Sequence, residues 1–433
     1  MVKKVAIVGA GPSGVLLAHY LLRRGDRYRV DIYERRSDPR TIEFSNSRTF
    51  PISLNQRGVD ALSNIAGLLE AVKEMGVAGT ASIMHQNNGK TRFTPRRKPL
   101  LLLDRTLLAI ALLEKLTATY DSNRLNIYFN HQCTQVDLSG KTATFLNAAE
   151  TTIHYDWLVG ADGARSTVRD ALLLQEQIEV EQKSIPNDYK SIFLPPSDQT
   201  VQIGLKPGYI HAWRIKDGTG VLLVYQLDGS MNGIINFPRE NNRVVSLSTP
   251  EEVLQFFDKY FPEVARMMPP SEAEAFLNRP VSTIVTVRCS RYHYEDSILL
   301  IGDAAHAVSP SLGLGCNSAL EDAALVDRLL DEYDDNLGDA IAQFTLRRKS
   351  DAHALVELSD YSFPSSSQKL FVEFILRQQF ARILHRFLPS HFSPSLMELV
   401  SETTVPYGEI LHSHRGWIDK VKKAQQKNMT VEA

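Results

Sequence analysis

The chain has 433 residues, 43% of them hydrophobic and 23% charged, which gives two or three ordinary domains with a substantial core and excludes a disordered chain. Its 48 lysines and arginines stand against 50 acidic residues, a net charge of −2, so no overall field favours nucleic acid or anionic lipid. Cys133, Cys289 and Cys316 lie far apart without CxxC spacing or paired histidines, which argues against disulfides and against a metal site and fits a reducing, cytoplasmic setting.

The first apolar run, Val5 to Val8, ends at Gly9, and the helix after it carries His19, Arg23 and Arg24. Neither a signal peptide nor a membrane span is read there, and the tail from Trp417 is polar. Residues 2–34 read as strand, glycine turn, helix and second strand, a βαβ unit. The turn is Gly9-Ala10-Gly11-Pro12-Ser13-Gly14. Gly9 permits the tight turn, Gly11 lets a pyrophosphate approach N–H groups at a helix N-terminus, and Gly14 allows close helix–strand packing. Glu34, at the end of the next strand, would accept hydrogen bonds from an adenosine ribose. The fingerprint by itself fits FAD or NAD.

Helices are predicted over Gln56–Met75 and Arg105–Tyr120, and strands over Leu125–Asn130, Thr142–Leu146 and Trp157–Val159. A second glycine element, Gly160-Ala161-Asp162-Gly163-Ala164-Arg165-Ser166, follows. From about Gln177 to Val287 the short runs Ser191–Leu194, Tyr209–Ile215, Gly220–Gln226 and Gly233–Phe237 predict an antiparallel sheet with one open face. Ser297–Ile301 reads as a buried strand before a third element, Gly302-Asp303-Ala304-Ala305-His306, which runs through Pro310-Ser311-Leu312-Gly313-Leu314-Gly315-Cys316-Asn317 into a helix. Beyond Ile341 the pattern is helical, with Phe371, Phe374, Phe380 and Phe387 read as inward-facing core.

In this order and spacing the three elements resemble those of the single-component FAD aromatic hydroxylases, the p-hydroxybenzoate hydroxylase group, over most of the chain. Within that group the chain is similar to the kynurenine 3-monooxygenase branch, with pigment hydroxylases of the violacein type also near. The residues that carry the likeness are Arg48, Asn55-Gln56-Arg57-Gly58, Asp104-Arg105-Thr106, Phe129-Asn130-His131, Ile185-Pro186-Asn187-Asp188-Tyr189-Lys190, Phe256 to Pro262, and Tyr292-His293-Tyr294. The resemblance implies an α/β fold. A discontinuous Rossmann-like FAD domain takes residues 1–78, 100–176 and 284–360. An inserted antiparallel β-sheet substrate domain takes 79–99 and 177–283, and a C-terminal helical region takes 361–433.

It also implies non-covalent FAD, held by Gly9, Gly11, Pro12, Ser13, Gly14, Glu34, Arg35, Arg48, Arg105, Cys133, Asp162, Gly302, Asp303, Pro310, Gly313, Gly315, Cys316 and Asn317. Asp303 is expected at the ribityl and pyrophosphate region and Pro310–Asn317 at the isoalloxazine ring, while the 160–166 element serves both FAD and a transient NAD(P)H.

The implied activity is hydroxylation or epoxidation of an aromatic or apolar small molecule with NAD(P)H and O2, through a flavin C4a-hydroperoxide. The hard chemistry then belongs to the cofactor, and the protein positions the ring and excludes water, so no catalytic triad or carboxylate pair is required. His306 reads as a structural group and Cys316 as packing. An oxidase, dehydrogenase, reductase or carrier flavoprotein on the same fold is the alternative, as is kynurenine 3-monooxygenase itself.

The kynurenine enzymes hold the substrate carboxylate with an arginine and a tyrosine. Alignment on His85 and Arg105 puts Ser82 and Pro99 at those positions, so the clamp is missing and kynurenine is disfavoured. Arg92, Arg96, Arg97 and Lys98 form either a replacement cation or, the preferred reading, a solvated edge. Ser82, Tyr361 and Tyr407 are the candidate substrate contacts, and a monomer or homodimer is expected.

Overall fold

The computed structural model describes residues 2–41, 49–86, 89–197, 204–240, 242–364 and 368–431. Arg48 lies outside the described residues. Strands Lys3–Val8 and Tyr28–Glu34 flank the helix Pro12–Leu22, every residue of which is buried, as a helix pressed between sheet and neighbouring helices must be. Among the described residues a six-stranded sheet runs in the order His293–Tyr294, Ile298–Leu300, Trp157–Gly160, Lys3–Val8, Tyr28–Glu34, Leu125–Phe129. All its pairs are parallel except the short first one. Parallel strands end at a common edge, so Gly9, Glu34, Gly160 and Gly302 all lie at the carboxyl ends of adjacent strands, where open α/β sheets bind ligands.

A second, eight-stranded sheet runs Ser282–Cys289, Val180–Leu194, Met231–Pro238, Gly220–Tyr225, Tyr209–Arg214, Val77–His85, Thr91–Asp104, Pro51–Leu54. It departs from the expected antiparallel pattern at one place, where Tyr209–Arg214 pairs parallel with Val77–His85. Strand Thr91–Asp104 runs through the boundary expected at residue 100. The expected open face is also corrected. Helices Pro250–Tyr260, Pro262–Ala265 and Pro270–Asn278 cover it, burying Phe257, Phe261 and Phe276 against Leu223, Ile235 and Phe237. Their start was legible: Thr249 caps Pro250 and the first turn is acidic, a standard helix beginning. The sheet's other face looks toward the parallel-sheet domain, with Ser191 Oγ donating to the Thr49 carbonyl at 2.6 Å and Asn232 Nδ2 to Asp104 Oδ2 at 3.0 Å.

The expected helix Gln56–Met75 is two, Gln56–Ser63 and Leu68–Lys73, separated at Gly67 by a left-handed residue of φ +72°. A three-stranded sheet, Gln132–Asp137, Thr142–Leu146 and Glu150–His154, packs against the helix Thr167–Leu174. The C-terminal part is helical as expected, with Leu337–Tyr361, Gln368–Phe387, Leu396–Glu402, Tyr407–Ser413 and Arg415–Val431. Its phenylalanines do not share one face. Phe374 is buried and stacks on Trp417 at 5.9 Å, whereas Phe380 is 63% and Phe387 75% exposed. They lie about 1.7 and about 3.6 turns beyond Phe374, neither a whole number. No helix among the described residues is long and apolar enough to cross a membrane.

Candidate active site

Three glycine turns meet at the carboxyl edge of the parallel sheet. Gly9 has φ +108°, and a Cβ there would lie 2.4 Å from the Ala161 carbonyl oxygen; at Gly14 it would lie 2.3 Å from the Gly9 oxygen. The first turn is therefore seated against the 160–166 element at a spacing that only glycine allows. Gly302 presses on Ser13, whose Oγ would sit 3.0 Å from an added Cβ, and Arg169 Nη1 donates to the Ala304 carbonyl at 3.3 Å. Gly11, by contrast, faces open space and begins the Pro12–Leu22 helix without a side-chain cap. Glu34 accepts N–H bonds from Ala10 at 3.0 Å and Arg36 at 2.9 Å, so it braces the turn; Arg35 beside it is exposed.

Asp162 Oδ2 accepts from Thr167 N at 2.7 Å, while its Oδ1 is buried with no hydrogen-bond partner among the described residues. Burial pushes this carboxyl up against the bonds that hold it down. Cys133 lies close by, its thiol pushed up to about 12 by burial and then by Asp162, and so is neutral. Asp303 is exposed at this edge of the site. The chain packed around it pushes its carboxyl up, Arg105 and His306 oppose this, and Asp322 reinforces it.

Beneath the third turn lies a buried ionic knot. Asp322 Oδ2 accepts from Gly302 N at 2.7 Å and pairs with His306 Nε2 at 2.7 Å, and Oδ1 accepts from Arg348 Nε at 2.6 Å. Although burial pushes the Asp322 carboxyl up, His306 and Arg348 bring it below the usual carboxylate range. His306 is thus committed to a structural partner, in agreement with its sequence reading. Arg348 reaches on to Glu321 at 2.8 Å, and Glu321 to Arg57 at 2.7 Å. Sequence reading missed Asp322 and Arg348. The available signal was that Asn317, Ser318 and Asp322 are polar yet occupy the buried side of the helix Gly315–Glu332, where polar groups persist only when bonded.

That helix also starts without a side-chain cap, at Leu314. Cys316 in its first turn has a thiol pushed up to about 12 by burial, lowered by Arg105 and raised by Asp303, so these three side chains share one site. The Asn317 amide is spent internally. Its Oδ1 accepts from Asn55 N at 2.8 Å, and its Nδ2 donates to the Ser53 and Gly313 carbonyls at 2.8 and 3.1 Å, so it shapes the Gly313–Gly315 loop and leaves only its backbone N–H to a ligand. Pro310 opens the turn Pro310–Leu312, which Ser311 Oγ ties to the Ser359 carbonyl.

Arg105 opens the helix Arg105–Thr119, capped by Asp104, which accepts from Thr106 N at 2.7 Å. The Arg105 guanidinium stands 5.7 Å from the Phe50 ring centre, and Phe50 meets Tyr189 edge-on at 6.1 Å, which carries the site across to the eight-stranded sheet. Burial pushes the Asp104 carboxyl up to about 6 from an ordinary 3.8, against bonds from Thr49, Thr106 and Asn232. A folded-state value above the unfolded one means that the folded protein holds the proton more readily, so the charge costs stability as pH rises from about 4 to about 6. Asp104→Asn keeps a capping side chain and removes the charge. Its stability relative to the parent is expected to be unchanged near pH 4 and greater by about 1–3 kcal/mol above pH 6, measured by urea unfolding across that range; a pH-independent difference would refute this role.

Of the expected substrate contacts, Ser82 is half-buried on the face that carries Ile210, its partner across the strand pair, and the cluster Leu100, Leu102, Leu222 and Val224. Tyr361 is taken by cations, its hydroxyl accepting from Lys183 Nζ at 3.2 Å with Lys183 and Lys422 over its ring. Tyr407 is corrected: it is 0% exposed under the Arg57 guanidinium, 4.1 Å from its ring centre, because helix Tyr407–Ser413 packs on Leu337–Tyr361, and it offers no surface to a substrate. The expected solvated edge describes Arg97 and Lys98, which are exposed, Arg97 pairing with Glu398 at 3.4 Å, but not half-buried Arg96, which is lowered by burial, raised by Glu402 and lowered by Arg382.

Residues 3–358 match the family described as FAD binding domain. The chain belongs to that family. This flavoprotein is 30% identical over 414 residues to kynurenine 3-monooxygenase of Sus scrofa, covering 94% of this chain and 85% of that one. It is 30% identical over 435 residues to violacein synthase of Chromobacterium violaceum, covering 95% and 97%. The solved tetrameric 2-methyl-3-hydroxypyridine-5-carboxylic acid oxygenase shares the fold with a TM-score of 0.69 at 19% identity, covering 83% of this chain and 91% of that one. The flavoprotein is an FAD-dependent monooxygenase of the aromatic hydroxylase type.

FAD fits the residues present. The open space at Gly11 over an uncapped helix N-terminus suits a pyrophosphate. The orphaned Oδ1 of Asp162 and the accessible Asp303 offer acceptors for hydroxyls or N–H groups, and the uncapped N–H groups at Gly315 and Cys316 with Arg105 offer positive potential to the ring.

Proposed function

We propose that this flavoprotein uses NAD(P)H and O2 to hydroxylate an aromatic molecule less acidic and more apolar than kynurenine. Bound FAD supplies hydride acceptance and oxygen transfer. The chain's own residues hold the cofactor, set positive potential beside it through Arg105 and the Gly315–Glu332 N-terminus, and cover the reacting region with the eight-stranded sheet.

The observation that carries this reading is Ser82 opposite Ile210, on the face that carries the cluster Leu100, Leu102, Leu222 and Val224. The neighbouring Arg97 is already paired with Glu398, and Arg96 is held down by burial, raised by Glu402 and lowered by Arg382. A carboxylate brought to Ser82 itself would lose its water without gaining the charged partner that an arginine there would supply, at a cost on the order of several kcal/mol. One relative is named for kynurenine and another for violacein, so similarity alone spans more than one substrate, and Ser82 favours one that is not kynurenine.

The test is anaerobic mixing with NADPH or NADH over an aromatic panel that includes kynurenine and its decarboxylated analogue kynuramine, following flavin bleaching and then product after O2 is admitted. Uncharged or cationic aromatics are expected to accelerate reduction and yield an oxygenated product where kynurenine does not, and Ser82→Arg is expected to lower the KM for kynurenine by about tenfold or more. Tight binding and efficient hydroxylation of kynurenine by the unmodified protein would sink the reading.

A further inference from the structure

The helix Gln368–Phe387 carries an apolar stripe that nothing among the described residues covers. Val372, Leu376, Phe380, Ile383 and Phe387 recur at helical spacing and are 53%, 52%, 63%, 52% and 75% exposed. Leu388 and Phe392 extend the patch past the helix end. The opposite side is the one that packs, through Leu370 and Phe374. A continuous exposed apolar stripe of this size marks an interaction surface.

Its charge selects the partner. From Lys369 to Phe392 the chain has four cations, Lys369, Arg377, Arg382 and Arg386, against the single acid Glu373, a local net charge of +3 in a chain of −2 overall. Glu373 is already paired with Arg377 at 3.0 Å and Lys420 at 2.6 Å. Lys369 and Arg386 are exposed at the two ends of the stripe. Two copies of this face laid together would set like charge against like charge with no free acid to relieve it. An anionic bilayer surface satisfies both features, since acyl chains take the apolar stripe and headgroup phosphates take the flanking cations.

We propose that this helix lies flat on an anionic phospholipid surface, inserting Phe380 and Phe387 with their apolar neighbours and seating Lys369 and Arg386 among the headgroups. The surface stands on its own exposure and charge and is independent of the substrate reading above. It is a peripheral contact, in keeping with the absence of a membrane-crossing helix among the described residues.

The test is flotation of the FAD-loaded protein with vesicles of phosphatidylcholine alone or mixed with phosphatidylglycerol, beside a light-scattering mass measurement in solution. The protein is expected to float with the mixed vesicles at low salt and to be released at high salt. Phe380→Ser with Phe387→Ser should weaken the partition by about tenfold or more, and Lys369→Glu with Arg386→Glu should remove the preference for phosphatidylglycerol, both with FAD content and solution mass unchanged. Failure of the unmodified protein to float with mixed vesicles at low salt overturns the proposal. So does a solution dimer that the two serine substitutions dissociate, which would assign the face to a second copy of this chain.

Discussion

Asp322→Ala is expected to lower the free energy of unfolding by about 3–5 kcal/mol, the scale for removing one partner from a buried ionic group, and to yield protein without FAD. The carboxylate is wholly buried and serves three partners at once, the Gly302 N–H, His306 and Arg348. Without it, a guanidinium, an imidazole and a backbone N–H are left desolvated at the turn that presents Asp303. The conservative change Asp322→Asn keeps the shape but not the charge that brings the carboxyl below its usual range. It should fall between the parent and the alanine variant in urea midpoint and in flavin retained after desalting. An alanine variant with parental FAD content and midpoint would show that Arg348 and His306 find other partners, and the positioning role of Asp322 would be lost.

The second large effect separates two glycines of one motif. Gly9→Ala places a methyl against the Ala161 carbonyl, 2.4 Å from its oxygen, in a backbone of φ +108°, with strain of about 1–3 kcal/mol from the dihedral alone. The variant should unfold at lower urea both with and without FAD. Gly11 is different: its φ is −73°, and nothing lies within 4 Å of an added Cβ. Gly11→Ala should leave the unfolding midpoint of the FAD-free protein within about 0.5 kcal/mol of the parent while weakening FAD binding tenfold or more, because the methyl fills the space that backbone approach to a pyrophosphate requires. Midpoints of FAD-free protein and titration with FAD decide it. Equal FAD affinity in Gly11→Ala and parent would remove the cofactor from that turn.

Much of this site was legible before any coordinates. GxGxxG after a strand and an acid at the next strand's end report backbone needs that few residue types meet, and such needs are local, so Gly9 and Glu34 could be named from spacing, whereas Asp162 and Asp303 were named from the family resemblance of the two further glycine turns. The starts of the helices at Asp104 and Thr249 were equally readable from their caps, although the second went unread.

What only the tertiary structure decided depends on partners distant in sequence. Periodicity marked phenylalanines in the helix Gln368–Phe387 as apolar but not which side of the helix meets Trp417, so Phe374 is core and Phe380 is surface. Tyr407 kept the right chemistry for a substrate contact but is enclosed beneath Arg57, and the Asn317 side chain braces Ser53 and Gly313, which leaves its backbone N–H for the contact expected. Asp322 gained its meaning from Gly302, His306 and Arg348, respectively 20, 16 and 26 residues away. Backbone geometry is written in short stretches because sterics act between neighbours; burial and charge pairing are set by whatever the completed fold brings alongside.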